Sequence, residues 1–386
     1  MKIVHLCLSN FFIDNYSYQE NLLPKYHVLQ GHEVTVIASL VSIDTNGNPC
    51  LLDSESTKYT EDGVKVIRVD YDRPFYLFNK FVRFYKNIYS LLENEKPDIL
   101  FLHDFSFMDI REIIRYVKKN KSVRVYIDCH TDFINSGRTW ISRNIFHKII
   151  WRYFAKKLTP FVSKFYGTTP IRCDFLRDVY RINPQKIELL VMGVDNEQLK
   201  SKNRLDIRTR FVKNLEFCDN DFIIVTGGKV DQKKNIHLLL QAIYNINKPN
   251  IKLVVFGTIS PDLQDFFDRM LTSRSIYFVG WQNSDKILDY FIFADLIVFP
   301  GTHSVLWEQA VGVGIPCLFK YWEGITHIDL GGNCEFLFED KVDEIEYKLL
   351  SIINNQNKYI QMKNTAIEKG LLEFSYSGIA ERAIRS

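Results

Sequence analysis

The chain has 386 residues, 46% of them hydrophobic, and a net charge of +3, enough apolar material for about two full domain cores and no global polyanion signal. Seven scattered cysteines without a CxxC pair argue against a disulfide framework or a zinc knuckle and for a reducing compartment. The opening MKIVHLCLSNFF has no small-residue cleavage site and reads as a strand, and no apolar run is long enough to span a membrane.

In chain order, KIVHLCLS is an apolar run expected to form a buried parallel strand. LLPKYHVLQ has helical spacing, and GHEVTVIAS supplies a stop and a second strand. That is a βαβ unit within 40 residues. GVKVIRVDY reads as a strand and FNKFVRFYKNIYSLLENEK as one helix stopped by Pro97. DILFLHDF, VRVYIDCH and KFYGTTP read as further strands. After KIELLVMGVD the pattern restarts. A charged helical segment near 200–215 leads to DFIIVTGG, IKLVVFG, SIYFVG, DLIVFPG and IPCLFK as strands with helices between. The expectation is an α/β chain of two doubly wound parallel sheets, divided near Gly193-Val194-Asp195. Ligands in such sheets bind beyond the carboxyl ends of the strands, so polar residues at strand ends are the ones to weigh.

In TGGKVDQKKNIHLLLQA the strand is expected to end at Thr226, with Gly227 and Gly228 making a tight turn. Lys229, Lys233 and Lys234 then precede a helix, which makes either an anion site or a solvated basic turn. GTHSVLWEQAVGVGIP repeats the geometry: a strand end, the polar loop Thr302-His303-Ser304 with Ser304 as a candidate N-cap, and a helix carrying Glu308. Glu308 suits a vicinal diol such as a ribose, or it simply favours the helix dipole. His103 and His130 stand at strand ends, where a ligand role and a structural role are both open. The other histidines have no such placement. Asp70-x-Asp72 and Asp219-x-Asp221 are poor cation sites, the first because Arg73-Pro74 suggests a surface turn. No metal is expected. Between Asp132 and Asp174 there is no acidic residue, while eight basic residues interleave with Trp140, Ile141, Ile145, Ile149, Trp151 and Tyr153. That fits either an anionic membrane surface or a core-facing helix with a solvated basic face.

Taken together, these segments resemble the family 4 retaining glycosyltransferases of the GT-B fold. YSYQENLLPKYHVLQGHEVTVIAS resembles the first βαβ unit of bacterial polysaccharide members, and LLVMGVD the entry to the second domain. GGKVDQKKNIHLLLQA, YFVGWQNSDKILDYFIFADLIVFP and WEQAVGVGIP resemble three further family motifs in the right order. The resemblance implies two Rossmann-like domains facing a cleft: 1–193 on the acceptor side, 194–370 binding the donor, and 371–386 packing back on the first. It implies a UDP- or GDP-linked sugar donor, no cofactor and no metal, and a glycan or lipid-linked acceptor in bacterial surface polysaccharide assembly. Lys229 takes the place of the family's phosphate-binding Arg and Lys234 that of its Lys. Gly228, Gly280, Thr302, His303 and Ser304 fall among the donor-binding positions. Glu308 matches the second Glu of the Glu-x7-Glu motif, the implied ribose clamp. The first falls at Pro300, so it is missing. His130 matches the family's His near the sugar, and His130, Lys234 and Glu308 form the implied catalytic set. The family's Gly-Gly loop is replaced by Asn15-Tyr16-Ser17-Tyr18-Gln19; Tyr16, Ser17, Tyr18, Gln19 and His103 are the acceptor-side candidates. The expected location is cytoplasmic, peripheral at the inner membrane face through residues 138–164. Three rivals follow: a GT-B sugar-nucleotide epimerase, a non-catalytic nucleotide-sugar binder, and a single-strand nucleic-acid binder.

Overall fold

The computed structural model describes the chain apart from Asn10, Asn15, residues 44–48 and 73–75, Ser386, and the side chains of Pro49, Phe78, Asn79 and Phe81. Asn15 of the acceptor-side stretch and the Arg73-Pro74 turn therefore lie outside the described residues. The chain forms two compact units, Met1–Val191 together with the segment from Ile379, and Met192–Gly378.

The first unit contains β1 (Lys2–Cys7), β2 (Glu33–Ser39), β3 (Val41–Ile43), β4 (Pro49–Leu51), β5 (Ser56–Tyr59), β6 (Lys65–Val69), β7 (Ile99–His103), β8 (Arg124–Cys129), β9 (Val162–Gly167) and β10 (Ile187–Leu189). Eight of them form one sheet in the order β10-β9-β8-β7-β1-β2-β6-β5. Only the β5–β6 pairing is antiparallel; β3 and β4 pair separately. All five residues of β7 are buried, as a parallel strand covered on both faces requires. The expected single helix over FNKFVRFYKNIYSLLENEK is instead two, Tyr76–Val82 and Ile88–Glu95. Arg83 and Asn87 break it, each with φ of 56°. The segment between them pairs with residues 70–72 through Asp72 N–H to Phe84 O and Lys86 N–H to Asp70 O. Tyr85 is buried there, its amide bonded to the Asp109 carboxylate and its hydroxyl to Leu8 O. Tertiary bonds have overridden helical spacing.

The second unit contains β11 (Phe222–Val230), β12 (Ile251–Ile259), β13 (Ile276–Phe278), β14 (Leu296–Phe299), β15 (Cys317–Lys320) and β16 (Cys334–Leu337). They form an all-parallel sheet in the order β13-β12-β11-β14-β15-β16. β11 does not stop at Thr226. It runs in register with β12 through Val230, Gly228 opposite Gly257. The glycines serve close strand approach and not a turn: a Cβ on Gly257 would lie 1.8 Å from Gly228 O.

Candidate functional site

In the second sheet the strands run outward in both directions from the β11/β14 pair, so the carboxyl ends of those two strands form a topological switch point. Two loops meet there. Asp231 caps the turn 232–234 by accepting from the amides of Lys233 and Lys234. Thr302 N–H donates to Lys233 O at 3.0 Å. Lys234 Nζ donates back to Thr302 O at 2.6 Å and His303 O at 3.2 Å. Asn235 adds a bond to Pro300 O at 3.2 Å. Gly301 lets the loops touch, because a Cβ there would lie 2.3 Å from the Lys234 carbonyl carbon. Burial pushes the Lys234 pKa down to about 8, against a smaller opposing pull from Asp231. Lys229 is exposed at the end of β11. Gly228 beside it and Gly280 beyond β13 adopt positive φ, 112° and 72°, and Gly280 O accepts from Gly257 N–H. Lys229, Lys234, Gly228, Gly280, Thr302 and His303 are thus all at the carboxyl edge of this one sheet.

Ser304 is not the N-cap. The helix is the short Leu306–Gly312, Val305 holds the cap position without a side-chain bond, and Ser304 contributes its carbonyl to Trp307 N–H. Glu308 is fully buried. Its Oε1 accepts from His303 Nε2 at 2.8 Å and His327 Nε2 at 2.9 Å, and its Oε2 is buried with no partner. Burial would raise its pKa, but His303 first and then His327 outweigh that and hold it well below the usual carboxylate range. His327 carried no signal in the sequence: it lies 19 residues from Glu308 in an irregular loop. The donor atoms of this trio lie within 4.8 Å of one another, a spacing a cation could use. However, both Nε2 atoms sit at hydrogen-bond distance from Oε1, so the carboxylate already serves as their acceptor.

The first sheet has its own switch point between β1 and β7. His103 ends β7 and His130 follows β8. His103 is fully buried, with Nδ1 on Asp128 Oδ2 at 2.9 Å and Nε2 on His5 Nδ1 at 3.0 Å. Gln19 is also buried and donates to Asp128 Oδ2 at 2.8 Å. Both therefore stand behind His130 and do not present their polar atoms to an acceptor, a correction to the sequence expectation. Glu20, His103 and His130 also approach a cation-binding spacing, but both His103 nitrogens are engaged, which leaves no lone pair for a metal. Half-buried His130 lies 3.5 Å from Asp128 Oδ2 and 3.9 Å from Glu20 Oε1. Burial opposes its protonation, but Asp128 and Glu20 prevail and raise its pKa. For Asp128 burial would raise the pKa, and His103 and His130 outweigh it, holding the carboxylate ionised. Tyr16 and Tyr18 pair their rings at 5.3 Å, and Tyr18 is exposed, whereas Tyr16 and Ser17 are half-buried.

His130 opens on a cavity of about 480 Å³ within this unit. Asp104, Thr131 and Ser136 line its polar wall, and Met108, Phe146 and Trp151 its apolar one. The apolar wall belongs partly to the π-helix Ser142–Trp151, which continues as the α-helix Arg152–Leu158. The expected amphipathic face divides here. Phe154 is buried and Ile150 and Trp151 are half-buried. Ile141, Ile145, Ile149 and Tyr153 are exposed at four-residue steps beside exposed Trp140, which places them along one side of the helix. Arg138, Lys156 and Lys157 are exposed around them. Among the described residues no helix is long and apolar enough to cross a membrane.

Residues 23–198 match a family model described as Glycosyltransferase Family 4, and residues 207–369 one described as Glycosyl transferases group 1. The Campylobacter jejuni N-acetylgalactosamine-N,N'-diacetylbacillosaminyl-diphospho-undecaprenol 4-alpha-N-acetylgalactosaminyltransferase is 24% identical over 269 residues, 68% of this chain and 65% of that protein. An uncharacterized glycosyltransferase of Methanocaldococcus jannaschii is 18% identical over 217 residues, 53% of this chain and 55% of its own. The chain thus spans less than two thirds of the length of these relatives. Among solved structures, a Rickettsia africae glycosyltransferase has a TM-score of 0.67 at 13% identity, covering 99% of this chain and 96% of that one. Anabaena HepE in complex with UDP and glucose has 0.66 at 13%, covering 99% and 98%. The Neisseria meningitidis UDP-GlcNAc 2-epimerase bound to UDP-GlcNAc has 0.64 at 14%, covering 100% and 99%. These likenesses concern the fold.

Proposed function

The chain belongs to the family 4 glycosyltransferases of the GT-B fold, and we propose that it moves a sugar, with retention, from a UDP- or GDP-linked donor to a glycan or lipid-linked acceptor in bacterial surface polysaccharide assembly. The observation that carries this reading is the pair of clasped loops at the β11/β14 switch point, with Lys229, Lys234 and Glu308 at one sheet edge. Phosphoryl groups need positive charge where the leaving diphosphate gains negative charge, and the two lysines supply it without a metal or other cofactor. Exposed Lys229 meets the diphosphate by side-chain charge. Lys234 holds the loop through two carbonyls and has a third N–H to spare. Glu308, its charge fixed by two imidazoles, accepts from the ribose hydroxyls through Oε2 after a small opening of the loop. His130 hydrogen-bonds the transferring sugar, and Tyr16, Ser17 and Tyr18 belong to the acceptor side. The exposed Ile141–Tyr153 stripe with its basic rim would seat the first unit on an anionic membrane at the cytoplasmic face, where a lipid-linked acceptor is presented.

A thermal-shift panel of UDP- and GDP-sugars tests the donor assignment. Saturation at about a hundred times Kd should add roughly 2.7 kcal/mol of stability. No shift with any nucleotide would overturn the reading. Lys234→Ala that left transfer and donor binding intact would remove the phosphate assignment. Glu308→Gln that bound nucleotide like the wild type would remove the ribose assignment. The Neisseria epimerase shares the fold, so incubating donor alone is a needed control: an isomeric product would favour epimerisation over transfer.

A further inference from the structure

Four side chains in the core of the first unit form an unbroken line ending beside His130. Ala380 O meets His27 Nε2 at 3.0 Å, and His27 Nδ1 meets His5 Nε2 at 3.0 Å. His5 Nδ1 meets His103 Nε2 at 3.0 Å, and His103 Nδ1 meets Asp128 Oδ2 at 2.9 Å. All four side chains have no exposed surface, so water cannot complete any link. Each link needs one hydrogen. Both ends, a carbonyl and a carboxylate, are acceptors. Four links therefore need four protons, while three neutral imidazoles carry three. Breaking any link leaves a buried nitrogen or oxygen unpaired, which is costly in a dry core.

We propose that Asp128, His103, His5 and His27 are one protonic unit holding a fourth proton, with His103 as an imidazolium paired to the Asp128 carboxylate, and that this unit positions His130 and sets its charge. In that state His103 donates to both Asp128 and His5, His5 donates to His27, and His27 donates to Ala380 O. Burial lowers the pKa values of His5 and His27, consistent with both being the neutral members. Glu20 and Arg172 also face His130, and His32 faces His27. Cys7 and Glu20 lie near Asp128. None of these groups forms a link in the chain. His5, His27 and His103 are thus positioning residues for His130. The proposal rests on the assignment of His130 to the sugar only for its consequence in catalysis.

The test uses the full chain with 15N-labelled histidine and long-range 1H–15N spectra from pH 6 to 8.5. In the wild type, His103 should carry N–H at both nitrogens throughout, while His5 and His27 each keep one bare nitrogen. Three singly protonated rings would overturn the proposal. In His5→Phe, His103 loses the acceptor for its Nε2–H, releases its proton more readily, and leaves Asp128 uncompensated. The His130 midpoint should then move up by about 0.5–1 unit. A His130 midpoint unchanged in both His5→Phe and His27→Phe would overturn the coupling, whatever the variants do to stability. Neither readout involves donor or acceptor, so its failure is separate from failure of the transferase reading.

Discussion

Two buried carboxylates, one at the working edge of each sheet, invite comparison: Asp128 and Glu308. Glu308 Oε1 accepts from two imidazoles, Asp128 Oδ2 accepts from one imidazole and the Gln19 amide with His130 at 3.5 Å, and each carboxylate has its other oxygen buried without a partner. They differ in what lies behind. Glu308 is backed by two rings, His303 and His327, and His327 Nδ1 is buried without a hydrogen-bond partner. Asp128 is backed by a chain of three rings that closes on a backbone carbonyl. Two imidazoles that each donate one N–H to a carboxylate need no extra proton, whereas a closed chain between two acceptors requires one. Local geometry that looks equivalent therefore carries different electrostatic content.

The largest expected difference is in stability. Asp128→Asn removes the partner of a buried imidazolium and should cost about 3–5 kcal/mol. Glu308→Gln keeps a carbonyl oxygen for two N–H donors and should cost about 1–2 kcal/mol. Equal losses in urea denaturation would erase the contrast. Acid should separate the units next. Burial takes the His27 pKa down to about 4 in the fold, while the unfolded chain keeps about 6.5. The unfolded state binds more protons between those values, so stability falls as pH drops from about 6.5 to about 4, by up to roughly 3 kcal/mol. Glu308 has a depressed folded pKa, so its contribution is lost only below the ordinary glutamate value of about 4.3. Hydrogen exchange at pH 7 and pH 5 should show amides of the first unit losing more protection than those of the second, where burial lowers the His237 pKa less far than that of His27.

Three smaller effects sharpen the second site. Gly301→Ala drives a methyl group into the Lys233-Lys234 backbone and should cost about 1–3 kcal/mol, read as a lower Tm. Lys234→Ala should lower both the unliganded Tm and nucleotide affinity, because Lys234 also holds the Thr302 and His303 carbonyls. Exposed Lys229→Ala should lower affinity by about tenfold, roughly 1.4 kcal/mol, and leave Tm within about 0.5 kcal/mol of wild type. A Tm loss in both variants would mean Lys229 is structural.

The parallel strands were legible because their apolar runs need burial on both faces, and the strand ends followed from them. The loop residues Lys234, His303 and Glu308 could be placed near one another from strand order. What stayed hidden depended on long-range contact. Asp128 sits in an apolar strand with no local signal of its role, and His5 and His27 carry no placement signal. Their roles arise only when β1, β7 and β8 lie side by side in register. The single helix predicted over 78–96 failed for a related reason: Tyr85 is drawn inward by Leu8 and Asp109, which are far away in sequence.

The acceptor that closes the imidazole chain is Ala380 O, while the rings it serves are at positions 5, 27 and 103. On the ribosome, all of residues 192–378 must be made before that acceptor exists. The first unit is therefore born with its hydrogen-bond inventory open at one end. Its last link, like the bonds from Tyr126 to Ile384 O and from Tyr166 to Arg382 O, can form only after the whole second unit has been synthesised.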